Sequence, residues 1–231
     1  MHRHISEQYE LELSQIRDSL MAMGGLVEQQ VINACKALIE HDGELAQNVR
    51  EVESQLNQYE IDLDDQCVSI IAKRQPTASD LRRVVSVMKV ITDLERVGDE
   101  ADRIAKMAIR LSGTPMPVHQ YADFRDMHQD VLLMLTNALD SYARLDIENA
   151  IRVIRSDEDI DNAYDALIRR CTTEMRDNPD EIESAVSVMW AGRALERIGD
   201  HAKNIGEYVI YQVKGTDVRH GSEEVPDPDE E

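Results

Sequence analysis

Aromatic residues make up only 4% of this 231-residue chain, and it holds just ten glycines and six prolines. So little ring and turn chemistry argues against sheets and hairpins and suits long helices. Basic residues are scarce too. Lys plus Arg number 25 against 46 Asp plus Glu, a formal charge of −21, so a nucleic-acid backbone is repelled over most of the surface and is not expected as a partner. The apolar run of roughly 18 to 20 residues needed to span a bilayer is missing, and the N-terminal "MHRHISEQYE" lacks the apolar centre of a signal peptide. A cytoplasmic protein is expected. The three cysteines, Cys35, Cys67 and Cys171, lie far apart without CxxC spacing, which excludes a zinc knuckle or a disulfide framework and leaves small buried thiols. Nucleophile elbows, P-loops and dinucleotide fingerprints are absent, so neither catalysis nor an organic cofactor is expected.

What the chain does have is helical period. A first helix from about Glu7 to His41 ends near "HDG", where Gly43 suits a left-handed stop. Leu45, Val49, Val52, Leu56, Tyr59, Leu63 and Ile70 then mark the seam of a second helix, interrupted at "KRQPTASDLR" by Pro76, with Asp80 or Ser79 able to cap the next helix. A third seam runs through Val87, Val90, Leu94, Val97, Ala101, Ile104, Ala108 and Leu111. These make one three-helix bundle over residues 6–111. "SGTPMPVHQ", Ser112 to Gln120, reads as a linker, and a second bundle occupies 119–214. The acidic, proline-bearing tail, 215–231, has no apolar seam and is expected to be disordered.

The two bundles are copies. "SVMKVITDLERVGD" (Ser86 to Asp99) aligns with "SVMWAGRALERIGD" (Ser187 to Asp200) at an offset of 101, and Cys67 aligns with Cys171 at 104. The fold class is therefore all-α, two tandem three-helix bundles related by internal duplication, and helices of about 30 residues, roughly 45 Å each, make the molecule elongated.

The duplication also keeps acids. Glu95 and Asp99 are one turn apart with Asp102 three residues on, so the three carboxylates share a face beside the core seam. Glu196 and Asp200 recur in the second copy, while Asp102 becomes Lys203. On the preceding helices, Asp157 and Asp161 repeat the i, i+4 spacing, and Glu53 with Asn57 is their counterpart. Crowded carboxylates raise one another's proton affinity or hold a cation. Facing pairs on antiparallel helices bring together hard oxygen ligands suited to iron, manganese or magnesium; surface salt bridges to Arg96, Arg103 or Arg197 are the plainer reading. Gly98 and Gly199, inside the two acidic helices, mark places where a backbone or ligand comes close.

Five stretches carry a family likeness: "MAMGGLVEQQV" (Met21 to Val31), "IAKRQPTASDLR" (Ile71 to Arg82), "DLERVGDEAD" (Asp93 to Asp102), "ALERIGDHAKNI" (Ala194 to Ile205) and "VKGTDVRH" (Val213 to His220). In this order they span most of the chain, and it resembles the PhoU family of accessory regulators of bacterial phosphate uptake. The resemblance implies two similar three-helix bundles, a homodimer, and (E/D)xxxD motifs that bind iron, zinc or other metals: Glu95 with Asp99, and Glu196 with Asp200 facing Asp157 with Asp161. Asn57 departs from that pattern, and Asp102 is the residue able to make up for it. The resemblance further implies an adaptor that links the phosphate ABC transporter to a membrane sensor histidine kinase and keeps phosphate-starvation genes off.

Other features leave alternatives open. Lys73, Arg74, Arg82 and Arg83 bracket a turn and read as a phosphate-holding loop, a docking surface or ordinary solvated charge. Gly24 and Gly25, inside the first helix, mark a close contact or a kink. His201 reaches the metal beside Asp200 or lies exposed, and Trp190 belongs to core or interface. A carboxylate-bridged di-iron oxidase or a metal-storage protein is the competing function, weakened because the acidic helices carry no Glu-x-x-His pair.

Overall fold

The computed structural model describes residues 2–113 and 122–218. Six helices account for nearly all of them: α1 (His2–Glu40), α2 (Gly43–Arg74), α3 (Ala78–Leu111), α4 (Ala122–Arg144), α5 (Ile147–Asp177) and α6 (Ile182–Lys214), with one short 3-10 turn at Pro179–Glu181 and no strand among the described residues. Most of the proposed linker and residues 219–231 of the proposed tail lie outside this range. The longest helix, α1, has 39 residues and so runs about 58 Å.

Both bundles open their second helix with the same device. His41 turns left-handed at φ 58°, Asp42 follows as N-cap, and its side chain accepts a hydrogen bond from the Leu45 amide at 2.9 Å. One repeat later Leu145 turns at φ 55° and Asp146 accepts from the Asn149 amide at 3.0 Å. Gly43 is therefore not the helix stop expected from the sequence; it is the first residue of α2, where a Cβ would meet Ser112 Cβ at 3.3 Å. Nor do Ser79 and Asp80 cap α3. The helix starts at Ala78 after Thr77, whose side chain makes no capping bond, and Asp80 lies in the first turn, where a negative charge suits the helix dipole.

α3 packs on α1, α2 and α6, and α6 packs on α3, α4 and α5, so these two helices form the spine of one core shared by both bundles. They run antiparallel: Glu100 pairs with Arg197, and Asp93, about two turns earlier, bonds Asn204, about two turns later. The spine is buried on a wide arc, which the apolar seams read from the sequence describe well. The three cysteines are buried and free, and burial pushes the Cys171 thiol up to about 11. Val218 is also buried, against Ile151, Ile154 and Ile210, so packing continues past Lys214 into the start of the region assigned to the tail.

The internal glycines are contact points for side chains. A Cβ on Gly98 would lie 2.7 Å from Leu56, and one on Gly199 would lie 3.3 Å from Ile160, its repeat equivalent on α5. Gly24 receives Leu139 of α4 at 3.0 Å, whereas Gly25 has nothing within 4 Å. Replacing Gly25 by Ala should therefore raise stability by about 1 kcal/mol through helix propensity alone. Gly206→Ala, which sets a methyl 3.1 Å from the Ala150 carbonyl of α5, should lower it by about 1–3 kcal/mol. Urea denaturation of the two variants reads both effects.

Candidate functional site

The carboxylate pairs sit where the spine helices emerge from the core. In the first bundle Glu95 and Asp99 of α3 lie partly buried, with partly buried Glu53, Asn57 and Glu60 on α2. Burial raises the proton affinity of Glu95 first, and the charges of Asp99, Glu60 and Glu53 add to it, with Arg96 pulling the other way. Glu60 was not read from the sequence, although it stands seven residues beyond Glu53 and so on the same helical face. Among the described residues these acids make no ion pair or side-chain hydrogen bond.

The second bundle gathers Glu196 and Asp200 of α6 with Asp157 and Asp161 of α5. Burial raises both Glu196 and Asp200 first; the charge of Asp200 adds to Glu196, the α5 acids Asp157 and Asp161 add to both, and Arg193 opposes. Here cations are already present. Lys203 Nζ donates to Asp157 Oδ2 at 2.5 Å, and Arg193 donates to Glu196 Oε1 at 2.5 Å while lying 5.8 Å from the centre of the Tyr164 ring. Glu196 Oε2 is buried with no hydrogen-bond partner.

Among the described residues no three His, Cys, Asp or Glu side chains stand close enough together to hold an ion as they are. The donor chemistry nevertheless suits a hard cation. A cation at the second face would satisfy Glu196 Oε2 and relieve the repulsion that raises Glu196 and Asp200; at the first face it would meet acids that make no ion pair of their own.

Asp102 does not join its neighbours and cannot make up for Asn57. It is 3% exposed and held by Arg50 Nε at 3.0 Å and by Lys106. The repeat inverts the signs: Lys203 takes the Asp102 position and Asp157 supplies the acid from the neighbouring helix. A buried charge was kept at this height, and its polarity was not.

His201 is neither exposed nor turned to the acids. It is 6% exposed and points into the spine, its Nδ1 2.7 Å from Asp93 Oδ1, which also accepts from Asn204 at 3.1 Å. Two turns away Glu100, 2% exposed, accepts from Arg103 at 2.7 Å and pairs with Arg197 at 3.0 Å. These inter-bundle links went unseen in the sequence because they occur where the copies differ: Asp93 aligns with Ala194, Glu100 with His201 and Arg103 with Asn204. Two of the four cations of the basic turn are engaged by the chain itself. Arg74 is committed to Glu12 through two hydrogen bonds of 2.7 and 3.1 Å, and Arg82 packs on Gly215. Trp190 is 62% exposed and so not core.

The PhoU domain profile matches residues 20–108 and 124–209, one match in each bundle. The chain belongs to the PhoU family. It is 50% identical over 217 residues to the phosphate-specific transport system accessory protein PhoU homolog of Pseudomonas putida, covering 94% of this chain and 85% of that one. It is 41% identical to phosphate-specific transport system accessory protein PhoU of Escherichia coli (strain K12), covering 95% and 91%. The crystal structure of PhoU from Pseudomonas aeruginosa superposes with a TM-score of 0.87 at 46% identity, over 90% of this chain and all of that one. The phosphate transport system regulatory protein PhoU from Streptococcus pneumoniae gives a TM-score of 0.84 at 30% identity over 91% of this chain and 99% of that one. These PhoU names describe accessory and regulatory proteins, in agreement with the expectation of no catalysis, and none names an oxidase. No helix among the described residues is long and apolar enough to cross a membrane.

Because the folded state raises Glu95 above its ordinary value of 4.5, ionising it costs stability at neutral pH, and that cost disappears as pH falls below the unfolded value. Glu95→Gln should therefore melt higher than the parent at pH 7, with the gain vanishing in acid. Asp102→Asn should lower stability by about 2 kcal/mol at pH 7 as its charge-assisted bonds to Arg50 and Lys106 weaken. Thermal melts across pH separate the two.

Proposed function

We propose that this PhoU protein is a cytoplasmic regulator that connects a phosphate ABC transporter to a membrane sensor histidine kinase, restraining phosphate-starvation signalling and phosphate uptake when phosphate is plentiful. The observation that carries this reading is 50% identity, over 94% of the chain, to a protein named as an accessory of the phosphate-specific transport system. A charge of −21 and a surface of long helices also suit an adaptor that works through protein contacts. The working form is a homodimer.

Metal binding belongs to the same proposal. Glu196, Asp200 and Asp161 hold a cation on the second bundle, with Asp157 shared with Lys203; Glu95, Asp99, Glu53 and Glu60 hold one on the first. Iron, zinc, manganese or magnesium would supply positive charge there, tying α2 to α3 and α5 to α6 and stiffening the faces offered to partners. Support comes from the raised proton affinities of Glu95, Glu196 and Asp200.

Tagged protein should capture the transporter ATPase or the sensor kinase from cells, and deletion should leave phosphate-starvation genes permanently on. Normal repression in the deletion strain would end the regulatory reading. Glu196→Gln combined with Asp200→Asn should remove metal from the second bundle with helicity unchanged, as read by elemental analysis and circular dichroism. Full metal content in that variant would refute the placement.

A further inference from the structure

At one end of the spine the two bundles leave a cleft of about 360 Å³, within the size range of small-molecule sites. It draws on four helices. α1 contributes Glu10, Leu13, Ser14 and Arg17, α3 contributes Arg83 and Val87, α4 ends in it with Tyr142 and Ala143, and α6 adds Gln212. No acid pair described above takes part.

Charge singles this cleft out. On a chain of −21 it presents two arginines, and among the described residues neither Arg17 nor Arg83 has an ion pair or hydrogen bond. Arg74, by contrast, is fully engaged with Glu12. Two unpaired guanidiniums lining one cleft, one from α1 and one from α3, suit a group carrying close to two negative charges, which a phosphate monoester does at neutral pH; a single carboxylate would leave one of them unanswered. Leu13, Val87 and Leu145 supply an apolar wall, and Tyr142, 4% exposed, lies beneath it. The side-chain oxygen of Gln212 is covered and lacks a hydrogen-bond partner, and Glu10 stands at the rim, so the site also has acceptors waiting for hydroxyl or amino donors. Inorganic phosphate offers neither an apolar body nor enough bulk for this volume.

We propose that the cleft between α1, α3, α4 and α6 binds an organic phosphate monoester, its phosphate between Arg17 and Arg83 and its body against Leu13, Val87 and Leu145. A molecule seated there touches both bundles at once and so favours one relative setting of the two halves. This inference does not depend on the transporter and kinase reading or on metal.

Isothermal titration of the full chain with adenosine monophosphate, inorganic phosphate and adenosine tests it. The monophosphate should bind saturably at one site, and each fragment should bind roughly tenfold more weakly or worse. Arg17→Gln with Arg83→Gln should weaken the monophosphate by at least ~10-fold, because each arginine supplies charge-assisted bonds. Both arginines are exposed, so circular dichroism of that variant should match the parent. Absence of saturable binding, equal affinity in the double variant, or inorganic phosphate binding as tightly as the monophosphate would overturn the proposal.

Discussion

The antiparallel contact of α3 with α6 governs everything else in this molecule. Each of these helices is covered by three others, so only a narrow strip of each meets water. Polar side chains along them have two choices. They turn inward and find a partner on the opposite spine helix, as Asp93 does with His201 and Glu100 with Arg197, or they crowd onto the strip. Glu95 with Asp99 and Glu196 with Asp200 take the second course, and the burial that goes with it is the main cause of the raised proton affinities of Glu95, Glu196 and Asp200.

The two strips resolve their repulsion differently. On α6, Arg193 and Lys203 bring positive charge within hydrogen-bonding reach of the acids, and an unpartnered oxygen on Glu196 is what remains. On α3 the position equivalent to Arg193 is Thr92, whose hydroxyl bonds the Met88 carbonyl, and the position equivalent to Lys203 is the acid Asp102. The first face therefore keeps its excess charge in spite of Asn57. Duplication preserved the acids and let their neutralisation diverge.

Periodicity made the helices and the repeat legible, because apolar steps of three and four residues are written into every element that packs. Turns were less legible. Besides Gly113 and Gly215, the left-handed residues are His41, Gln75, Ala78 and Leu145, where the packing of long rods on both sides outweighs the modest local cost of a side chain. Of the candidate site, the (E/D)xxxD pairs are legible from their spacing of one turn; Glu60 is not, because it stands two turns from Glu53. Asp102 and His201 stand apart from the acid faces for one reason. Neighbourhood along a helix is not neighbourhood in space, because a single residue step rotates a side chain about 100°.

Trp190 is the chain's single tryptophan, 62% exposed and one helical turn before Arg193, which grips Glu196. Nature has thus installed a solitary fluorophore at the edge of the second acid face. Its emission reports on one location without interference from any other indole, so the arrival of a solute or protein at that face is observable by light in the unlabelled molecule.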